Sequence, residues 1–350
     1  MRFFRLNRGA PEQQAAAAAE QEYARRSQAA VEAGGLPLRA QERLAARQQP
    51  GRAALWSSDL SVNEYLATRA VQLEPLGQVL GASIYHIAYN MLRMQSWQDG
   101  ELTAYSQALY DARSRALGRM QQEAALLGAH GVVGVRLEQK AYEWGSNLLD
   151  FMAIGTAVRF SGIPPLDQPF LSDLSGQETL TLLHAGYVPA GVALGVCAYY
   201  IVTTWDDDRM MRGWRNWGGW SNQEMGHWTT GIYNARRGAM RAMSAGAQAL
   251  RADGIVGSNV RLRTHEVRAT RYNNYSGESE SIEDHVFEFT AIGTAVAEIG
   301  RGHTPVQANL VLDLGRCPSP PTPLPVRGRG ERTQALLPSP LEGEGLGVRG

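Results

Sequence analysis

Lysine is almost missing from this chain: Lys140 is the only one among 350 residues. Acids and bases balance at 34 each, so no global field favours nucleic acid or an anionic surface. The two cysteines, Cys197 and Cys317, cannot make a disulfide framework or a thiolate zinc site. No apolar run is long enough to cross a bilayer, and the basic opening "MRFFRLNRG" is not followed by an apolar core. The expectation is a cytoplasmic chain with no membrane span and no nucleic-acid partner. Catalytic signatures are missing too. The seven histidines are scattered, and no HExxH, CxxC, GxSxG or phosphate-binding loop stands in a suitable context.

What the chain does contain, it contains twice. "AIGTAV" occurs at 153–158 and again at 291–296. "SDLSVNE" at 58–64 is answered 114 residues later by "SDLSGQE", and "PLGQVLGASIY" by "PAGVALGVCAY" at the same offset. "YDARSRALGRM" meets "YNARRGAMRAM" at an offset of 123, and "AIGTAV" repeats at 138. The offset grows in two steps, so the second copy carries two insertions, the Trp-rich stretch 205–220 and a longer turn at 272–283. The repeat is therefore a domain. Copies at 58–160 and 172–299 are joined by a short Pro-bearing linker, 161–171.

Both copies read alike. An extended segment comes first (73–87 and 180–203), then a helix (102–127 and 223–250). Leu109, Ala112, Ala116 and Met120 recur at helical spacing, as do Ile232, Ala235, Ala239 and Met243. Two β-rich segments follow each helix. The predicted fold is α+β: two tandem β-α-β-β two-layer domains. One helix on three strands leaves a sheet face short of cover, so the copies must pack on each other or the protein must oligomerise.

The flanks differ in kind. Residues 1–57 are rich in Ala, Gln and Arg and read as a frayed helix or disordered linker without an apolar stripe to pack. Residues 300–350 are rich in Pro and Gly, and the tail from Cys317 reads as a read-through extension that cannot order itself.

Comparing the copies narrows the candidate residues. His86 is matched by Tyr200, His130 by Asp253 and Cys197 by Ser83, so no shared metal site is built from His or Cys. Tyr110 and Arg113 are matched by Tyr233 and Arg236, and Thr156 by Thr294. These six are the candidates for a ligand site or an interface. Each arginine can hold an anion or pair with an acid at a subunit contact. "SDLS" reads as a helix N-cap in both copies. Trp205, Trp214, Trp217 and Trp220 mark a loop that is either simply tethered or an aromatic surface for a partner.

The combination of P-x-G-x-x-x-G on the first strand, Y-x-A-R on the helix, A-x-G-[VI]-V-G and GTAV resembles the YbjQ-like family, labelled as heavy-metal-binding. The resemblance spans both copies. It implies a dodecin-like two-layer unit that assembles into rings, typically of five. "GAHG" and "RADG" stand where that family has "GADG", and only the second copy keeps the acid. The expected function is a non-enzymatic, self-assembling binding or scaffold protein with a small ligand or protein partner. The alternative is heavy-metal (divalent) or anion binding between domains or subunits. A tandem chain cannot close a five-domain ring, so five chains with ten domains are expected, first copies stacked on second copies.

Overall fold

A computed structural model describes residues 10–47, 57–70, 73–86, 98–141, 148–162, 164, 166–212, 224–273 and 277–299. The Pro/Gly-rich tail, Trp214, Trp217 and Trp220 lie outside these residues.

The first copy contains α3 (Val62–Ala70), β1 (Leu73–His86), β2 (Gly100–Glu101), α4 (Thr103–Leu126), β3 (Gly131–Ala141) and β4 (Leu148–Phe160). After β5 (Phe170–Leu171), the second copy contains α5 (Gly176–His184), β6 (Tyr187–Ile201), α6 (Trp205–Arg212), α7 (Gly226–Ala249), β7 (Gly254–Asn273) and β8 (Glu278–Glu298). Two sheets result, ordered β1-β4-β3-β5 and β2-β6-β8-β7. The long strands of each sheet pair antiparallel, and each sheet carries its own copy's helix, as the repeated pattern predicts.

Close approach fixes how the helices lie. A Cβ on Gly81 would run into the backbone oxygen of Ala116 in α4, and one on Gly195 into that of Ala239 in α7. Glycine is thus repeated because helix backbone rests directly on strand backbone there. Gly155 and Gly293 face the register shifts of β3 and β7, where Val132 and Ile255 occupy the space a side chain would need.

Four expectations need correction. Residues 180–184 form the end of α5, not an extended segment. Ser175 and Glu178 make a reciprocal capping box that starts this helix. The second insertion lengthens the hairpin arms as well, with β7 pairing with β8 as far as Asn273 and Glu278. The described part of the Trp-rich insertion is helical, because Thr204 and Asp207 cap each other (Thr204 N to Asp207 Oδ2, 2.9 Å; Asp207 N to Thr204 Oγ1, 3.2 Å). Lastly, α2 (Leu38–Arg47) does find packing, whereas α1 (Ala10–Glu32) has no buried residue among those described. Leu36 and Leu44 are buried, and Arg43 bonds Glu123 of α4 at 2.7 Å.

Candidate functional site

The chemistry of this chain concentrates where the two copies meet. Helix α4 is buried on two flanks. Tyr105, Leu109 and Leu117 share one apolar cluster with Val79 and Ala153 of the first sheet and with Leu194, Val196, Ala198 and Tyr200 of β6. The outer face of the second sheet, opposite its own helix, is therefore covered by the helix of the first copy. Backbone groups join the seam: Leu102 N donates to Ala198 O (2.8 Å), and Ala198 N to Ser106 Oγ (2.9 Å).

Arg113 sits at the centre of this contact, 3 % exposed. It donates to Glu288 (2.5 Å) and Thr290 (3.1 Å) of the second copy, and to Gln139 (2.8 Å) and Leu109 O (3.1 Å) of its own. Its guanidinium lies 4.8 Å from the centre of the Phe151 ring. Glu288 also meets His265 Nε2 at 3.1 Å. Burial pushes the Glu288 carboxyl up. The His265 hydrogen bond and the Arg113 charge outweigh that and hold it at about 2. The result is an ionised, paired acid sealed between the two copies.

A second seam runs along β3. Ser172 N donates to Val132 O (2.9 Å), Gly134 N to Leu174 O (2.7 Å) and Val135 N to Ser172 O (2.9 Å). The linker between the copies thus ends as sheet, with β5 parallel to β3. Thr294 secures this segment, accepting from Asp173 N at 3.0 Å, and Thr156 accepts from Asp59 N at 3.0 Å in the same way. Both threonines tie the SDLS turn to the last long strand of their copy. Between the seams lies a cleft of about 330 Å³ whose lining includes Arg113, Arg136, Arg261, Arg263 and Asp173. Arg261 and Arg263 donate to Leu137 O (3.0 Å) and Gln139 O (3.1 Å).

A third junction involves groups that sequence comparison missed. His227, in the first turn of α7, bonds Asp99 Oδ2 through Nε2 (2.6 Å) and Asp207 Oδ2 through Nδ1 (3.0 Å). Burial lowers its pKa, but the two carboxylates outweigh this and raise it overall. Nearby, Asp284 accepts from Arg271 at 2.5 Å and from Tyr200. None of these groups recurs in the other copy, so looking for repeated residues could not find them. Glu288 was detectable, because an acid, Asp150, stands before the aromatic residue of the other AIGTAV block. Matching by identity passes over that pair.

The candidates therefore separate. Arg113 is buried in the seam, whereas Arg236 is exposed. Tyr110 and Tyr233 are both exposed, and Tyr110 lines a separate cavity of about 570 Å³ that also includes His130 and Leu250. Trp205 is exposed at the start of α6. Among the described residues no three His, Cys, Asp or Glu side chains are grouped to hold an ion. Cys197 is buried beneath α7, its thiol pushed up to about 12 by burial and then by Glu101. No helix among the described residues is long and apolar enough to cross a membrane.

The family described as "Putative heavy-metal-binding" matches residues 67–161. The encapsulin nanocompartment protein Rv1762c of Mycobacterium tuberculosis is 36 % identical over 264 residues, which is 74 % of this chain and 92 % of that protein. A UPF0145 protein of Halorubrum lacusprofundi is 36 % identical over 106 residues, 29 % of this chain and 97 % of that protein. A UPF0145 protein of Natronomonas pharaonis, NP_2600A, is 51 % identical over 61 residues, 17 % of this chain and 56 % of that protein. None of these names is that of an enzyme.

Proposed function

Because this chain belongs to the YbjQ-like family, with the family's unit present as two tandem copies, we propose that it is a non-enzymatic, self-assembling scaffold protein. Its two domains are 58–160 and 172–299, joined by 161–171 and flanked by 1–57 and 300–350. It works in the cytoplasm as a structural component associated with a protein nanocompartment. The supporting comparison is the relative named an encapsulin nanocompartment protein, aligned over 92 % of its length.

The observation that carries this reading is how the polar groups are used. Arg113, Glu288, Thr156, Thr294 and the SDLS turns are all engaged in holding one copy to the other or one strand to its turn. Among the described residues, nucleophile, base and orienting group are not brought together around an open cleft. Five chains of 38.2 kDa, about 190 kDa in all, are the proposed assembly. Light scattering on the purified full chain tests it, and a monomer at micromolar concentration would defeat the scaffold reading. A second reading, anion binding, is favoured by the arginine-lined cleft between the seams. Calorimetric titration with inorganic phosphate tests that reading, and no heat at millimolar phosphate removes it.

A further inference from the structure

The junction within one chain covers only half of what the repeat provides. Each copy has a sheet face like the one α4 covers, and each has a helix flank like the one α4 contributes. Within the chain, the flank of the first copy meets the face of the second. The face of the first copy and the flank of the second remain open.

Equivalent residues make the contrast plain. On β6, Leu194 and Ala198 are 5 % and 0 % exposed; their counterparts on β1, Leu80 and Ile84, are 39 % and 59 % exposed. Along α4, Leu102, Ser106, Leu109 and Leu117 are buried; along α7, their counterparts Met225, Thr229, Ile232 and Met240 are only half-buried. Arg113 finds Glu288, whereas its counterpart Arg236 is exposed and makes no ion pair with any described residue. Asp150, the counterpart of Glu288, is half-buried and likewise has no ion-pair partner among the described residues. Leu80, Ala82 and Ile84 line a groove of about 530 Å³ together with Val31 and Leu36 and with Arg119 and Glu123 of α4.

We infer that the open flank of α7 docks on the open face of β1 and β4 in a second copy of this chain, with Arg236 paired to Asp150 across the contact. The in-chain seam is the template. Thr229 takes the place of Ser106 and accepts from Ile84 N, while Met225 N takes the place of Leu102 N on Ile84 O. Ile232 and Met240 cover the leucine and isoleucine that β1 leaves bare. A contact in which unlike surfaces meet propagates head to tail, and it closes only when a ring returns to its start. First and second copies then alternate from chain to chain, instead of forming separate stacked rings. This inference rests on the scaffold reading and adds which surfaces join the chains.

Arg236→Glu and Asp150→Arg, singly and together in the full chain, test it by native mass spectrometry and light scattering. Circular dichroism and thermal unfolding of each variant at low concentration check that it remains folded. A like-charge pair in place of an opposite one weakens such a contact by about a hundredfold. Each single variant is therefore expected to lose the assembled mass at micromolar concentration, and the double variant, with the pair inverted, to regain it. Single variants that keep the wild-type mass, or a double variant as dissociated as the singles, would overturn the inference and leave the scaffold reading standing. A monomeric wild type would defeat the scaffold reading itself.

Discussion

Replacing Glu288 with leucine leaves the Arg113 guanidinium stranded between two sheets. The side chains are 4 % and 1 % exposed, so water does not reach in to compensate. Gln139, Thr290 and Leu109 O still accept from Arg113, but its counter-charge is gone. Removing one partner of such a buried pair costs about 3–5 kcal/mol, a large part of the roughly 5–15 kcal/mol that holds a typical domain folded. Removing both, as Arg113→Met with Glu288→Leu, takes away the buried charge as well as the pair and should fall within about 1–2 kcal/mol of wild type. The assay is urea unfolding followed by tryptophan fluorescence at fixed protein concentration, on wild type, both single variants and the double. A coupling of at least about 2 kcal/mol is expected. If the Glu288→Leu variant loses less than about 1 kcal/mol, or if the two single losses simply add, Arg113 and Glu288 do not hold the seam as described.

The same pair sets an acid limit. The folded Glu288 carboxyl is held at about 2 against an ordinary 4.5, so its contribution is complete above pH 4.5 and is lost as pH falls toward 2. Acid titration of stability should show this loss in wild type and a shallower profile in Glu288→Leu. His227 acts in the opposite sense. Its raised pKa contributes stability that is complete below its ordinary 6.5 and is lost as pH rises through the folded value. Thermal melts of His227→Asn should be flatter than wild type above pH 6.5, and parallel curves would show that the Asp99–His227–Asp207 bridge carries no such linkage. Gly195→Ala drives a methyl into the oxygen of Ala239 and should cost at least about 2–3 kcal/mol, whereas Gly118→Ala, in open space on α4, should cost nothing and gain up to about 1 kcal/mol. Equal melting temperatures for the two variants would refute the close helix-on-strand contact. Arg251 holds a φ of 55° where the first copy has Gly128 at 72°, so Arg251→Gly should raise stability by about 1 kcal/mol in chemical denaturation. A loss instead would mean that the arginine side chain contributes more than its backbone strain costs.

The tandem architecture was legible because repeated sequence demands repeated environments. Two insertions could be located by the change in offset, and Gly81 and Gly195 recur because in each copy a helix backbone leaves no room for a side chain. Local patterns fixed α4 and α7, whose apolar residues keep helical spacing over many turns. They misled at 180–184, where a leucine- and threonine-rich run looks extended but a capping box upstream starts a helix. They misled again for α2, where one buried leucine and one arginine suffice once α4 supplies a surface and Glu123.

The repeated motifs imply two copies of one α+β unit, each with a sheet face in need of cover. What covers that face emerges from the packing of one copy on the other. Arg113 and Arg236 occupy the same place in the repeat, yet one is sealed against Glu288 and the other faces solvent. The physical reason is directional. A contact between the flank of one copy and the face of the next uses up one flank and one face. Two copies joined in this way always leave one of each open, and no comparison of matched residues can say which copy keeps which.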